Sequence, residues 1–218
     1  MDLGTTSTAG VLAARHDEAM RLFVALVPPA EARAELAAAI HELPAPPRLR
    51  WTRSDQWHLT LAFMAEVDDR TCRQLVERLD RVARRSPPLE LSLAGGGRFG
   101  THVLWTRVDG DRAALRRLAD AVRAAVRRCR LPTDDRPYRP HLTLARGGTP
   151  ANDLAPLVAV LQGFAGSTWL ATELHLVRSH LGAGPGGTAR HETLATWELT
   201  GRHRPITRSS EADDRHLT

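Results

Sequence analysis

The sequence predicts an α+β fold of two pseudo-symmetric lobes, each an antiparallel sheet with helices on its outer face, around a central cleft. Apolar runs of strand length alternate along the chain with amphipathic segments of helix length. The tetrapeptide HLTL occurs at residues 58–61 and again at 141–144, and each copy lies in a β-rich run that follows a helical segment. No linker divides the two halves, so residues 20–201 are expected to form a single bilobal domain.

The first half of the chain predicts two successive pairs of a strand and a helix. Residues 20–27 form an apolar run that is followed by two prolines, which predicts a strand. Residues 30–43 are rich in helix formers and have an apolar stripe, which predicts a helix. Residues 57–67 are β-rich, and residues 68–86 begin with two aspartates and place apolar side chains at helical spacing. The proline-containing residues 44–56 are expected to be a loop.

The rest of the chain predicts five strands and two helices. Strands are expected at 89–100, 102–108, 138–146, 169–181 and 191–201, and helices at 111–129 and 152–164. Pro156 lies near the start of the last helix, where proline is tolerated. Residues 1–19 and 202–218 lack an apolar pattern, and both are expected to be disordered.

The composition is that of an ordinary globular protein, with 42% hydrophobic and 25% charged residues among 218. No apolar run approaches the roughly 18 residues that cross a bilayer, and the first nineteen residues lack the apolar stretch of a secretory signal. Cys72 and Cys129 show no metal-binding spacing, so neither a zinc cluster nor a disulfide framework is expected. No cofactor or metal is expected, and the cytoplasm is the expected location.

The charge of the chain points weakly towards a polyanionic partner. The formal charge is +5, and all thirty basic residues are arginine. Guanidinium groups match the geometry of phosphate, and a basic surface favours nucleic acid through the release of counterions. RNA is the expected partner, no membrane partner is expected, and a monomer is expected.

Each HLTL copy can place an imidazole beside a hydroxyl. Successive side chains of a strand point to opposite faces, so His58 and Thr60 share one face while the leucines take the other. His141 and Thr143 do the same in the second copy. The imidazole and the hydroxyl then lie about 6 to 7 Å apart along the strand. A hydroxyl can donate to a phosphate oxygen, and an imidazole can give or take a proton.

Two such pairs facing one cleft suit phosphoryl transfer. The attacking and leaving oxygens lie on opposite sides of phosphorus, so a base is needed on one side and an acid on the other. Because histidine titrates near neutrality, one imidazole can be neutral while the other is protonated, and no metal is required. Packing alone would preserve the leucines and let the outward residues drift, yet both copies retain His and Thr.

With these paired motifs the chain resembles the 2H phosphoesterase family, and specifically its RNA 2′,3′-cyclic phosphodiesterases, also called 2′-5′ RNA ligases. The similarity extends over residues 20–200 and includes the stretches RLFVALVPP, WHLTLAFMAEV, GRFGTHVLWTRV, RPYRPHLTLAR and RHETLATWEL. The resemblance implies a positively charged cleft and metal-free hydrolysis of RNA terminal 2′,3′-cyclic phosphate to a 2′-phosphate. It also implies 2′-5′ ligation as the reverse reaction.

The resemblance implies roles for five residues. His58 resembles the proton donor and His141 the proton acceptor, while Thr60 and Thr143 would hold the phosphate oxygens. Arg146 matches an arginine near the substrate phosphate. Strict alternation along the strand would point Arg146 away from His141, so a bulge or the strand end has to redirect it.

The chain departs from the family pattern at His191, which stands where many relatives have tyrosine. Phe23 is expected in the core, with a place beside a nucleobase as the alternative, and His175 is expected to be structural or solvent-facing. Two other functions stay open. One is a cyclic phosphodiesterase acting on a small nucleotide such as ADP-ribose cyclic phosphate, and the other is a catalytically silent RNA-binding module.

Overall fold

The computed structural model describes residues 19–43, 49–147 and 153–202. The disorder expected at the two ends of the chain falls almost wholly outside these residues. The elements are β1 (Met20–Leu26), α1 (Ala30–His41), β2 (Leu49–Trp51), β3 (Leu59–Val67), α2 (Asp69–Arg85), β4 (Leu89–Phe99), β5 (Val103–Gly110), α3 (Arg112–Arg128), β6 (His141–Gly147), α4 (Ala155–Leu161), β7 (Trp169–Ala171), β8 (Glu173–His180) and β9 (Arg190–Glu198).

The strands form two antiparallel sheets, which confirms the predicted α+β fold. The first sheet has the order β3-β1-β8-β9, and the second sheet has the order β2-β6-β5-β4-β7. The sheets do not follow the halves of the sequence, because β8 and β9 from the end of the chain complete the sheet that β1 and β3 begin. The two lobes are therefore joined by more than one crossing of the chain.

The prediction of one strand over residues 169–181 is wrong. The chain breaks at Thr172, so that β7 pairs with β4 in the second sheet while β8 pairs with β1 in the first. The carbonyl of Thr172 accepts a hydrogen bond from the backbone N–H of Leu199, which holds the break in place. Alternation of apolar residues continues across Thr172, so periodicity does not reveal that the chain changes sheets.

Two further boundaries differ from the prediction. The expected loop at 44–56 contains the short strand β2, which pairs with β6, and a 3₁₀ turn at Ser54–Gln56; residues 44–48 lie outside the described part. A three-residue strand is too short for a pattern in the sequence to identify. The helix expected at 152–164 is limited to α4, with proline in its first turn as predicted.

The strands that contain HLTL bury their leucines in one continuous apolar core. Leu59, Leu61, Leu142 and Leu144 are each at most 1% exposed and belong to one cluster with leucines of α2 and α3. α3 contacts β3, and α4 contacts β4. Because side chains alternate along a strand, the helices cover the leucine face, and the opposite face is left for the histidines. None of the helices in the described part of the chain has the length and apolar character needed to span a bilayer.

Candidate active site

The two His-x-Thr pairs come together where the sheets meet. β3 is the edge strand of the first sheet, β6 lies one strand in from the edge of the second, and the two strands contact each other. His58, Thr60, His141 and Thr143 are partly exposed, unlike the leucines between them. β3 and β6 contact each other, and the charge of His141 contributes to lowering the pKa of His58, so the two imidazoles lie near each other. His58 and His141 are called the cleft histidines from here on.

The cleft histidines are held by the same backbone contact. Nδ1 of His58 lies 2.7 Å from the carbonyl oxygen of Gln56, and Nδ1 of His141 lies 2.7 Å from that of Arg139. Because a carbonyl oxygen can only accept, each Nδ1 has to carry the proton and donate it. Nε2 of each neutral ring is then left as the acceptor, so the two imidazoles offer the same atom to a ligand.

A β-bulge in β6 turns Arg146 towards the cleft. The register between β5 and β6 shifts between Thr143 and Ala145, which leaves Leu144 as the extra residue. Leu144 and Ala145 are both fully buried, so two successive side chains point into the core. Arg146 thereby returns to the face of Thr143, and its charge contributes to lowering the pKa of both cleft histidines. This is the redirection that strict alternation required.

The same irregularity occurs in β3. The register between β1 and β3 shifts between Thr60 and Ala62, and Leu61 and Ala62 are both buried. The repeat therefore extends from HLTL to HLTLA, with the bulge at the same place in both copies. Phe63 occupies the position equivalent to Arg146 and is 44% exposed. The two lobes thus differ at this position: one offers a guanidinium and the other a phenyl ring.

Aromatic rings surround His58 on the first sheet. Phe23 stacks on His58 with ring centroids 4.4 Å apart, and His191 meets these two rings edge-on at 5.0 and 5.4 Å. Phe23 is buried in a small cluster with Ala25 and Val177, separate from the main core. Phe23 is therefore buried, but on the cleft side of the sheet, where it supports the catalytic candidate.

Two aromatic residues that sequence reasoning missed surround His141 on the second sheet. The ring centroids of Phe99 and Trp105 lie 4.9 and 6.1 Å from that of His141. A Cβ added to Gly97 would lie 2.2 Å from the indole of Trp105, so glycine is needed for the indole to lie against β4. Strand periodicity places Trp105 on one face of β5, but only the register with β6 shows that this face meets Thr143.

Burial lowers the pKa of both cleft histidines. Loss of hydration lowers the pKa of His58 to about 4, the backbone bond to Gln56 opposes this, and the charges of His191, Arg146 and His141 add to the lowering. Loss of hydration also lowers the pKa of His141, again opposed by its backbone bond. At neutral pH the unliganded protein therefore contains a neutral His58 with its lone pair on Nε2.

The low pKa of His58 predicts an acid-sensitive fold. An ordinary histidine in the unfolded chain takes up a proton below pH about 6.5, whereas His58 in the folded chain does so only near pH 4. Folding stability from this group is thus complete above pH 6.5 and decreases by up to about 3 kcal/mol as the pH falls to 4. Urea unfolding at pH 7.0 and 4.5 should show a smaller loss in His58→Gln than in the unmodified protein. Equal losses would contradict the assignment.

His175 lies outside the arrangement around the cleft histidines. Its Nδ1 is 3.1 Å from Oγ1 of Thr196, and its Nε2 is 3.6 Å from a carboxylate oxygen of Glu173. Burial lowers the pKa of this imidazole, and the charge of Glu173 opposes the shift. The ring therefore joins β8 to β9, which is consistent with a structural position.

Comparison with known proteins places the chain in a family. Residues 28–183 match the family described as the 2′-5′ RNA ligase superfamily. An RNA 2′,3′-cyclic phosphodiesterase of Thermus thermophilus is 32% identical over 200 residues, which cover 84% of this chain and 92% of that relative. An RNA 2′,3′-cyclic phosphodiesterase of Geobacillus stearothermophilus is 30% identical over 155 residues, which cover 69% of this chain and only 48% of that relative. The crystal structure of E. coli LigT complexed with 3′-AMP has a TM-score of 0.65 at 27% identity, covering 84% of this chain and 99% of that one.

An α+β fold with two His-x-Thr strands where its sheets meet defines a phosphoesterase of the two-histidine class. The chain belongs to the 2′-5′ RNA ligase superfamily. The resemblance predicted from the paired HLTL motifs is therefore confirmed, and with it the classification of the chain as a hydrolase of phosphodiester bonds.

Proposed function

We propose that this protein opens the 2′,3′-cyclic phosphate at the end of an RNA and leaves a 2′-phosphate, using the cleft histidines as acid and base. The observation that supports this most is the matched anchoring of His58 and His141 on two neighbouring strands, which leaves Nε2 of each available to a substrate. The relatives named RNA 2′,3′-cyclic phosphodiesterase support the choice of substrate. Ligation of 2′-5′ junctions is the reverse of the same reaction.

In hydrolysis His141 accepts a proton through Nε2 from a water molecule whose oxygen forms a bond to phosphorus. The bond between phosphorus and the ribose 3′ oxygen breaks, and His58 donates the proton that this oxygen takes up. The products are a free 3′-hydroxyl and a 2′-phosphate, and the two imidazoles have exchanged protonation states. Thr60 and Thr143 donate hydrogen bonds to the non-bridging oxygens, and Arg146 balances their charge.

The donor role of His58 depends on the substrate itself. His58 is neutral at pH 7 in the unliganded protein because its pKa is about 4. A cyclic phosphate is an anion, and an anion between the cleft histidines favours the charged form of each and raises both pKa values. Binding of the substrate and protonation of His58 are therefore coupled, and the reaction needs one proton shared by the pair.

The proposed mechanism uses no metal ion. Within the described residues, no group of three or more His, Cys, Asp or Glu side chains is placed to hold a metal ion. Proton transfer by the imidazoles and the charge of Arg146 supply what a metal would otherwise supply. Cys72 and Cys129 are free thiols, which suits a reducing compartment, and we place the enzyme in the cytoplasm.

Phosphorus NMR tests the substrate, the product and the metal independence together. The protein is incubated with an oligonucleotide that ends in a 2′,3′-cyclic phosphate, with and without excess EDTA. The cyclic resonance should be replaced by that of a 2′-phosphomonoester at the same rate in both samples. A 3′-phosphate product, or a reaction that EDTA stops, would overturn the mechanism. An ADP-ribose cyclic phosphate that reacts far faster than the oligonucleotide would instead identify the smaller substrate.

A further inference from the structure

An arginine-lined groove lies on the opposite side of the first sheet from the cleft histidines. α2 and α3 pack against each other, and α3 packs on the β3 face that carries leucine and not histidine. A groove of about 540 Å³ runs between the two helices, and none of the described residues that line it is acidic. The lining includes Arg78, Arg81, Arg85, Arg117, Arg128 and Arg202, which define the arginine groove.

The spacing of these arginines keeps their charges along one channel. Arg78, Arg81 and Arg85 follow one another at three and four residues, so they share a face of α2. On α3, Arg117 and Arg128 stand at the ends of a stretch whose groove-facing side chains are alanines and a leucine. The side chains between the arginines are mostly small, so an extended chain has room to bind along the groove. The volume of the groove lies in the range of ligand-binding sites.

Five of the six arginines of the arginine groove make no ion pair with a carboxylate among the described residues. Only Arg81 makes an ion pair among the described residues, with Glu77 at 3.6 Å, and both side chains are more than half exposed. An exposed pair of this kind contributes little to stability. Like charges gathered in this way repel one another, and a bound polyanion relieves the repulsion.

We infer that the arginine groove binds the phosphodiester backbone of an RNA strand, as a second contact separate from the cleft. Guanidinium groups bind phosphate through two parallel hydrogen bonds, which suits a row of phosphates. No aromatic residue lines the groove, so the bases of the RNA have no ring to stack on. The groove would therefore bind the phosphate backbone without preference for a base sequence. The inference builds on RNA as the substrate of the proposed function, and a second contact would raise the concentration of RNA ends near the cleft.

Two charge-matched double variants test the inference. Arg85→Gln with Arg117→Gln removes one groove arginine from each helix, and Arg73→Gln with Arg116→Gln removes one exposed arginine from each helix outside the groove. Fluorescence anisotropy measures the Kd of a labelled single-stranded RNA with a 3′-hydroxyl end at several salt concentrations. The groove variant should raise Kd at least fivefold and reduce the salt slope by about 1.4, because each lost phosphate contact removes about 0.7. The control variant should change Kd less than twofold.

A second measurement separates this site from the cleft. The rate of ring opening of a cyclic mononucleotide should be the same in both double variants, since a mononucleotide does not reach the groove. Equal Kd values for the two variants would overturn the inference. The inference would also be overturned if the groove variant no longer bound inorganic tripolyphosphate but still bound RNA with unchanged affinity, because the groove would then be a site for free polyphosphate. If the groove variant bound RNA more weakly, but the unmodified protein opened no cyclic phosphate, the arginine groove would stand as an RNA site and only the proposed function would be overturned.

Discussion

His58→Ala and His141→Ala are each expected to lower kcat for ring opening by about 10²- to 10⁴-fold. In the proposed mechanism each change removes one of the two proton transfers, and the remaining imidazole cannot serve both sides of phosphorus. The double variant should be little worse than either single variant, because the two groups act as a unit. Single-turnover rates on an RNA ending in a 2′,3′-cyclic phosphate measure the effect.

The control for this prediction is His41→Ala. His41 is an exposed imidazole in the last turn of α1, so its removal should leave kcat within twofold. The RNA affinity of all variants should stay within a few-fold of the unmodified protein. A protein in which both cleft variants open the ring at the unmodified rate would not use these imidazoles. A protein that binds RNA but opens no ring, with or without the changes, would be the silent RNA-binding module.

The paired histidines could be predicted because the pattern that indicates them lies within four consecutive residues. Alternation in HLTL is enough to put His58 and Thr60 on one face and the leucines on the other, and the core confirms the burial of the leucines. The repetition then indicates a second equivalent strand. The sequence also set a condition on Arg146, which could turn to the cleft only through a bulge or at the end of the strand, and a bulge is present.

The surroundings of the site could not be predicted because they depend on contacts between distant strands. Trp105 faces Thr143 through a register that the bulge in β6 sets, and Phe23 reaches His58 through the pairing of β1 with β3. The low pKa of His58 arises mainly from burial, which requires the assembled protein. For the same reason the change of sheets at Thr172 has no signal in the alternation of residues along the chain.

Arg146→Ala is expected to lower kcat/KM by about 10² to 10³, comparable with the loss of one preorganised donor to a developing oxyanion. Attack of water adds negative charge to the phosphate oxygens, and Arg146 is the sequence-predicted cation that the bulge turns to the face of Thr143. The lobe opposite has Phe63 at the equivalent position, and the guanidinium of Arg21 lies over that ring, 4.7 Å from its centroid. Steady-state kinetics on the cyclic-phosphate RNA measure the loss.

A pH profile distinguishes this role from a merely structural one. Arg146 contributes to lowering the pKa of both cleft histidines, so Arg146→Ala should move both limbs of the profile to higher pH. Arg146→Lys keeps the positive charge but not the two-pronged hydrogen bonding, so it should keep the limbs in place and recover only part of kcat/KM. Arg98→Ala, an exposed arginine on the next strand but one, should change neither quantity. An unmoved profile in Arg146→Ala would mean that this guanidinium lies too far from the imidazoles to meet the same phosphate.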